Sequence, residues 1–128
     1  MIKIDYTLEG ISGEQGPNIY FMGKPYDYVK LTKSLHDLGE KSNITIYLSD
    51  LKYINILDDF SIICKSTENG NTLSKIEGKQ ITIELTPTIW RTILIQMFAI
   101  SFYPCMDYLD FDGAGLVEEA NIMISSEF

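Results

Sequence analysis

Few residues in this chain are equipped for chemistry, and none stands at a spacing that chemistry uses. The one histidine, His36, lies between Leu35 and Asp37. An imidazole acting as a base needs a hydroxyl or thiol to activate, and a metal needs further ligands beside it. No Ser, Cys or carboxylate sits at a telling distance along the chain, so His36 reads as a structural histidine. Carboxylate pairs occur at Asp58-Asp59, Asp107 with Asp110, and Glu118-Glu119. Glycoside hydrolysis needs two carboxyls facing each other across a sugar cleft. Eighteen acidic residues in 128 generate such pairs by chance. Gly10, Gly13 and Gly16 lead into Pro17 and a strand, whereas a phosphate loop must lead into a helix N-terminus. Asp110-Phe111-Asp112-Gly113 has the outline of a calcium loop, but the alternating oxygen ligands break at Tyr108. Cys64 and Cys105 lack metal or CxxC spacing and read as free thiols, Cys64 as a small core residue beside Phe60 and Ile62. No catalytic residue, metal site or cofactor is expected.

Composition points towards binding. Eighteen acidic residues oppose ten basic ones, a formal net charge of -8. Such a field repels nucleic acid and anionic lipid and attracts basic partners. Hydrophobic residues make up 45% and aromatics 12%, enough for a core in one domain spanning residues 1–128. The start, Met1 to Tyr6, has none of the basic, apolar and small-residue regions of a secretion signal, so a cytoplasmic protein is expected.

The elements that must position these residues follow from periodicity. Ile2, Ile4, Tyr6 and Leu8 alternate with polar residues, giving a strand that should pair with Asn18 to Met22 as an antiparallel hairpin. Tyr28, Leu31, Leu35 and Leu38 share one face of a helix from Lys24 to Leu38, with Pro25 near its start and Gly39 at its end. Ile44 to Leu48, Phe60 to Ser66, Thr72 to Ile76 and Ile81 to Leu85 read as strands, and Leu51 to Leu57 as a strand or an irregular crossing. Asn69-Gly70 predicts a hairpin between the second and third of those strands. Thr86-Pro87 caps a second helix, running to Phe102, whose nearly all-round apolar surface must meet the sheet or a second partner. It is too short, and too interrupted by Arg91, to span a membrane. Leu116, Ala120 and Met123 or Ile124 share one face of a short C-terminal helix. The fold class is α+β: an antiparallel sheet of about five to six strands packed by two main helices.

One segment interleaves aromatics and acids densely, from Phe102 to Glu119. Aromatic anchors within a charged rim are the composition of a protein interface. The stretch Tyr103-Pro104-Cys105-Met106-Asp107-Tyr108-Leu109-Asp110-Phe111-Asp112, continuing through Leu116 to Asn121, resembles the C-terminal part of small bacterial immunity proteins of contact-dependent growth inhibition and related polymorphic toxin systems. That resemblance implies a non-enzymatic, cytoplasmic protein that neutralises one cognate toxin domain, often a basic nuclease, by tight protein–protein binding. The partner-binding residues expected on this reading are Tyr103, Asp107, Tyr108, Asp110, Asp112, Glu118 and Glu119. The alternatives are a small enzyme or ligand-binding domain with an acidic cleft, and a homo-oligomer joined through the apolar helix.

Overall fold

The computed structural model describes residues 1–8, 17–102, 104–109 and 115–126. Among them are two α-helices and ten strands in two five-stranded sheets, an α+β architecture. The first sheet holds β1 (Ile2–Thr7), β2 (Asn18–Met22), β4 (Ile54–Ile56), β8 (Met106–Leu109) and β10 (Asn121–Ser125), in the order β4-β1-β2-β10-β8. The second holds β3 (Ile44–Tyr47), β5 (Ser61–Ser66), β6 (Asn71–Glu77), β7 (Gln80–Leu85) and β9 (Val117–Glu118), in the order β3-β5-β7-β6-β9.

The expected β1–β2 hairpin forms, with Ile4 opposite Phe21 and Asp5 opposite Tyr20. The single antiparallel sheet does not. Both sheets are mixed: β1–β4, β2–β10, β5–β7 and β6–β9 all run parallel. The hairpin expected at Asn69-Gly70 is also absent, because β7 lies between β5 and β6. The β6–β7 hairpin instead turns at Gly78-Lys79, with Gly78 at φ +60°. Gly70 serves another purpose: a Cβ there would stand 2.6 Å from the Leu85 carbonyl carbon. The connection between β5 and β6 crosses the end of β7 at a distance only glycine permits.

The expected C-terminal helix is a strand pair. Asn121–Ser125 enters the first sheet between β2 and β8, and Val117–Glu118 joins the edge of the second. Between them the chain passes from one sheet to the other at buried Ser74. Its Oγ donates to the Ala120 carbonyl at 2.7 Å and accepts from the Ala120 amide at 2.9 Å.

Helix α1 (Pro25–Ser34) ends one turn earlier than its apolar pattern suggests, and a 3-10 turn over His36–Gly39 completes it. Tyr28, Leu31, Leu35 and Leu38 are nevertheless all fully buried. Asp27, in the first turn, accepts from the Lys24 amide at 3.0 Å and from the amino terminus at 3.1 Å. Burial alone would raise the Asp27 pKa, but these donors and nearby Lys30 hold it below its ordinary value. Helix α2 (Pro87–Ala99) starts at Thr86, whose side chain accepts from the Ile89 amide. Each helix is pinned to a different sheet. The Tyr28 hydroxyl donates to the Ser125 carbonyl of β10 at 2.7 Å, and the Trp90 indole to the Lys65 carbonyl of β5 at 2.7 Å. One contiguous core joins both helices to Ile2, Ile4, Phe21, Ile122 and Ile124 of one sheet and Ile62, Cys64, Ile81 and Leu85 of the other.

Candidate protein interface

Among the described residues, the groups capable of chemistry each have a structural setting. His36 is exposed, and its ring nitrogens lie 3.7 Å from Asp37 and 3.7 Å from Glu40, which gives it no hydroxyl or thiol to activate. Cys64 is buried, and loss of solvent pushes its thiol up to about 12, so it stays protonated and unreactive. Asp58 and Asp59 are exposed, both in the left-handed region at φ 61° and 58°, and Lys79 donates to the Asp58 carbonyl at 2.8 Å. Among the described residues no three His, Cys, Asp or Glu side chains could hold a metal ion. No helix among them is long and apolar enough to cross a membrane. Gly10, Gly13 and Gly16 lie outside the described residues, as do Asp110 to Gly113.

Of the seven expected interface residues, Tyr103, Asp110 and Asp112 also fall outside the described residues. The other four occupy two places. Asp107 and Tyr108 lie on β8, the edge of the first sheet, whereas Glu118 and Glu119 lie at and just beyond β9, the edge of the second. All four are exposed. Glu119 has a structural task, its Oε1 accepting from the Ile76 amide of β6 at 2.8 Å.

Strand pairing places Asp107 and Tyr108 on opposite faces of their sheet. Asp107 is opposite Ile124, on the face that carries the core; its carboxylate accepts from the Tyr108 amide at 2.8 Å. Tyr108 is opposite Met123, which is opposite Tyr20, which is opposite Asp5. The neighbouring row runs Met106, Ser125, Met22, Lys3. The face turned away from the core is therefore built from methionine and tyrosine, and a charged pair of opposite sign, Lys3 and Asp5, closes one side. Exposure rises towards β8: Tyr20 and Met123 are buried, whereas Tyr108 is 38% and Met106 51% exposed. Tyrosine and methionine are enriched at interfaces because both offer large contact area, and methionine adapts its shape.

Sequence reasoning singles out Tyr108, though in a loop instead of strand β8, and not Met106, Met22, Tyr20 or Met123. The pairing that gathers them joins strands about a hundred residues apart, and nothing local signals it. A second apolar surface lies on α2 and the turn that follows it, where Ile95, Phe98 and Phe102 are exposed instead of covered. The signal for that one is in the sequence: they fall at spacings of three and four, opposite the Trp90, Ile93 and Met97 face.

Two surface grooves accompany these faces. One of about 450 Å³ is lined by Met1, Lys3, Met22, Gly23, Lys24 and Asp27, and the other of about 360 Å³ lies between α2, α1 and the His36–Gly39 turn. The first has two lysines on its rim, and its one carboxylate is already bonded to the amino terminus, so it is not an acidic cleft. Comparison of the chain with models of protein families, with curated proteins and with solved structures finds no match.

Proposed function

We propose that this chain is an immunity-type inhibitor: a cytoplasmic, non-enzymatic protein that neutralises a basic toxin domain by binding it through β8, the exposed edge of the first sheet. The observation that carries this reading is the exposed Met106-Asp107-Tyr108 edge. It sets an aromatic anchor and an adaptable methionine on one side of an exposed edge strand and a carboxylate on the other. The net charge of -8 supports it, because a negative field draws a basic partner in and opposes phosphate. A catalytic alternative gains nothing from His36, which has only carboxylates for neighbours, or from Cys64, which is sealed in the core.

The test is co-expression with the toxin domain encoded beside this chain. Growth should be rescued by the wild type and impaired for Tyr108→Ala combined with Met106→Ala. Failure of the wild type to rescue against any neighbouring toxin domain would remove this reading.

A further inference from the structure

We propose that the outer stripe of α2 is a homodimer interface, in which two copies pack their α2 helices antiparallel, Ile95 against the partner's Phe98 and Arg91 against the partner's Phe102. This does not depend on the toxin-binding reading, which uses a different face. The first observation is exposure where a helix should be covered: Ile95 is 71%, Phe98 42% and Phe102 70% open to solvent. The Phe98 and Phe102 rings already form a T-shaped pair with centroids 5.1 Å apart, so the two present one apolar block. A contiguous apolar block of this size is on the scale of the largest patch of a monomeric protein, and such patches are often functional.

The order of residues says what it binds. Arg91, Ile95, Phe98 and Phe102 are separated by four, three and four residues, a spacing that reads the same in both directions. At 100° per residue Arg91, Ile95 and Phe98 fall within a narrow strip of α2, and Phe102, in the turn past the helix end at Ala99, extends it through its ring contact with Phe98. An isologous dimer requires that residue i meet j while j meets i. Two antiparallel copies of this strip satisfy that at every position. The aliphatic Ile95 meets an aromatic ring, and the guanidinium of Arg91 meets the other ring, a favourable cation–π arrangement. Among the described residues Arg91 makes no ion pair, and its side chain donates only to Thr88, at 3.4 Å, leaving it available.

Charge and size agree with a second copy. The charged residues lining the groove beside the stripe are Lys33, Arg91 and Glu40, so this patch carries little of the excess acid of a molecule of net charge -8. Two copies can meet here without bringing their excess acids together. Ile95, Phe98 and Phe102 leave on the order of 400 Å² open per protomer, so two copies with their flanking residues approach the roughly 1,000 Å² that a weak specific dimer buries. The groove of about 360 Å³ behind the stripe, walled by Leu94, Ile95 and Phe98, gives one aromatic ring of the partner room to enter.

Sedimentation velocity of the full chain across a concentration series tests this. The expected result is a monomer–dimer equilibrium with a dissociation constant of about 10–100 μM. Ile95→Glu and, separately, Phe102→Glu should each weaken it by about tenfold or more. Both sites are exposed, and far-UV circular dichroism with Trp90 fluorescence verifies folding. Register is read with a short bis-maleimide in a Cys105→Ser background. Arg91→Cys mixed with Phe102→Cys should cross-link, while neither should cross-link to itself, since in the antiparallel pairing the two copies of either position lie at opposite ends of the interface. A chain that stays monomeric at the highest concentration, a dimer indifferent to both Glu variants, or cross-linking of each variant to itself would overturn the proposal.

Discussion

Trp90→Ala removes the largest fully buried side chain, the one that ties α2 to the second sheet. Two losses add. Emptying a site of this size costs about 3–5 kcal/mol through lost transfer energy and the cavity left behind. The 2.7 Å bond from the indole to the Lys65 carbonyl disappears as well, which costs about 1 kcal/mol more. The total, about 4–6 kcal/mol, is a large part of the roughly 5–15 kcal/mol that stabilises a domain of this size. Trp90→Phe separates the two losses. It keeps most of the ring volume and leaves the Lys65 carbonyl without its donor, at about 1 kcal/mol. Urea unfolding followed by far-UV circular dichroism measures both, with an unchanged slope confirming that the same surface is exposed. Trp90→Ala within about 0.5 kcal/mol of wild type, the range of a surface change, would refute the packing described for α2.

Asp27→Asn should cost about 1 kcal/mol by weakening the first-turn cap and the pair with the amino terminus. Because the folded pKa of Asp27 lies below its unfolded value, this stability is present above about pH 4 and is lost as pH falls through the folded pKa. Urea midpoints of wild type and variant should therefore converge in acid. Gly70→Ala should cost about 1–3 kcal/mol, since the new methyl meets Leu85 backbone instead of a yielding side chain; a neutral result would show that the crossing is looser than described. Thiol labelling at mildly alkaline pH should modify Cys105, which is half-buried, while Cys64 reacts only after unfolding.

The parts of the fold visible in the sequence are those built from neighbours. The alternation of Ile2, Ile4 and Tyr6 marks β1, Thr86-Pro87 marks the start of α2, and Tyr28, Leu31, Leu35 and Leu38 mark a buried face that survives even where the helix tightens into a 3-10 turn. Asn121 to Ser125 reads as helical in the sequence, although it is a strand, for a physical reason. A strand paired on both sides within a mixed sheet, with both faces largely covered, loses the polar alternation that identifies an edge or half-exposed strand. Asn69-Gly70 misled because glycine has two uses, and here close backbone approach outweighs turn geometry. At the interface, Tyr108 was legible as an aromatic among acids. Its neighbours Met123 and Tyr20 were not, because only pairing across the middle of the sheet makes them neighbours.

The central claim is that the β8 edge binds a basic toxin domain, with acidic groups steering it and Tyr108 anchoring it. Both rates of that association, measured by surface plasmon resonance across a salt series with the purified neighbouring toxin domain, test it most directly. Charges act over about 8–10 Å at moderate salt, so wild-type association should slow as salt rises. Reversing Asp107, Asp110 and Asp112 to Lys should slow association more than it speeds dissociation. Tyr108→Ala should act on dissociation instead, at a cost of about 2 kcal/mol or more. Binding that is indifferent to salt, to the charge reversals and to Tyr108→Ala would place the toxin on another face, and no measurable binding would contradict the account itself.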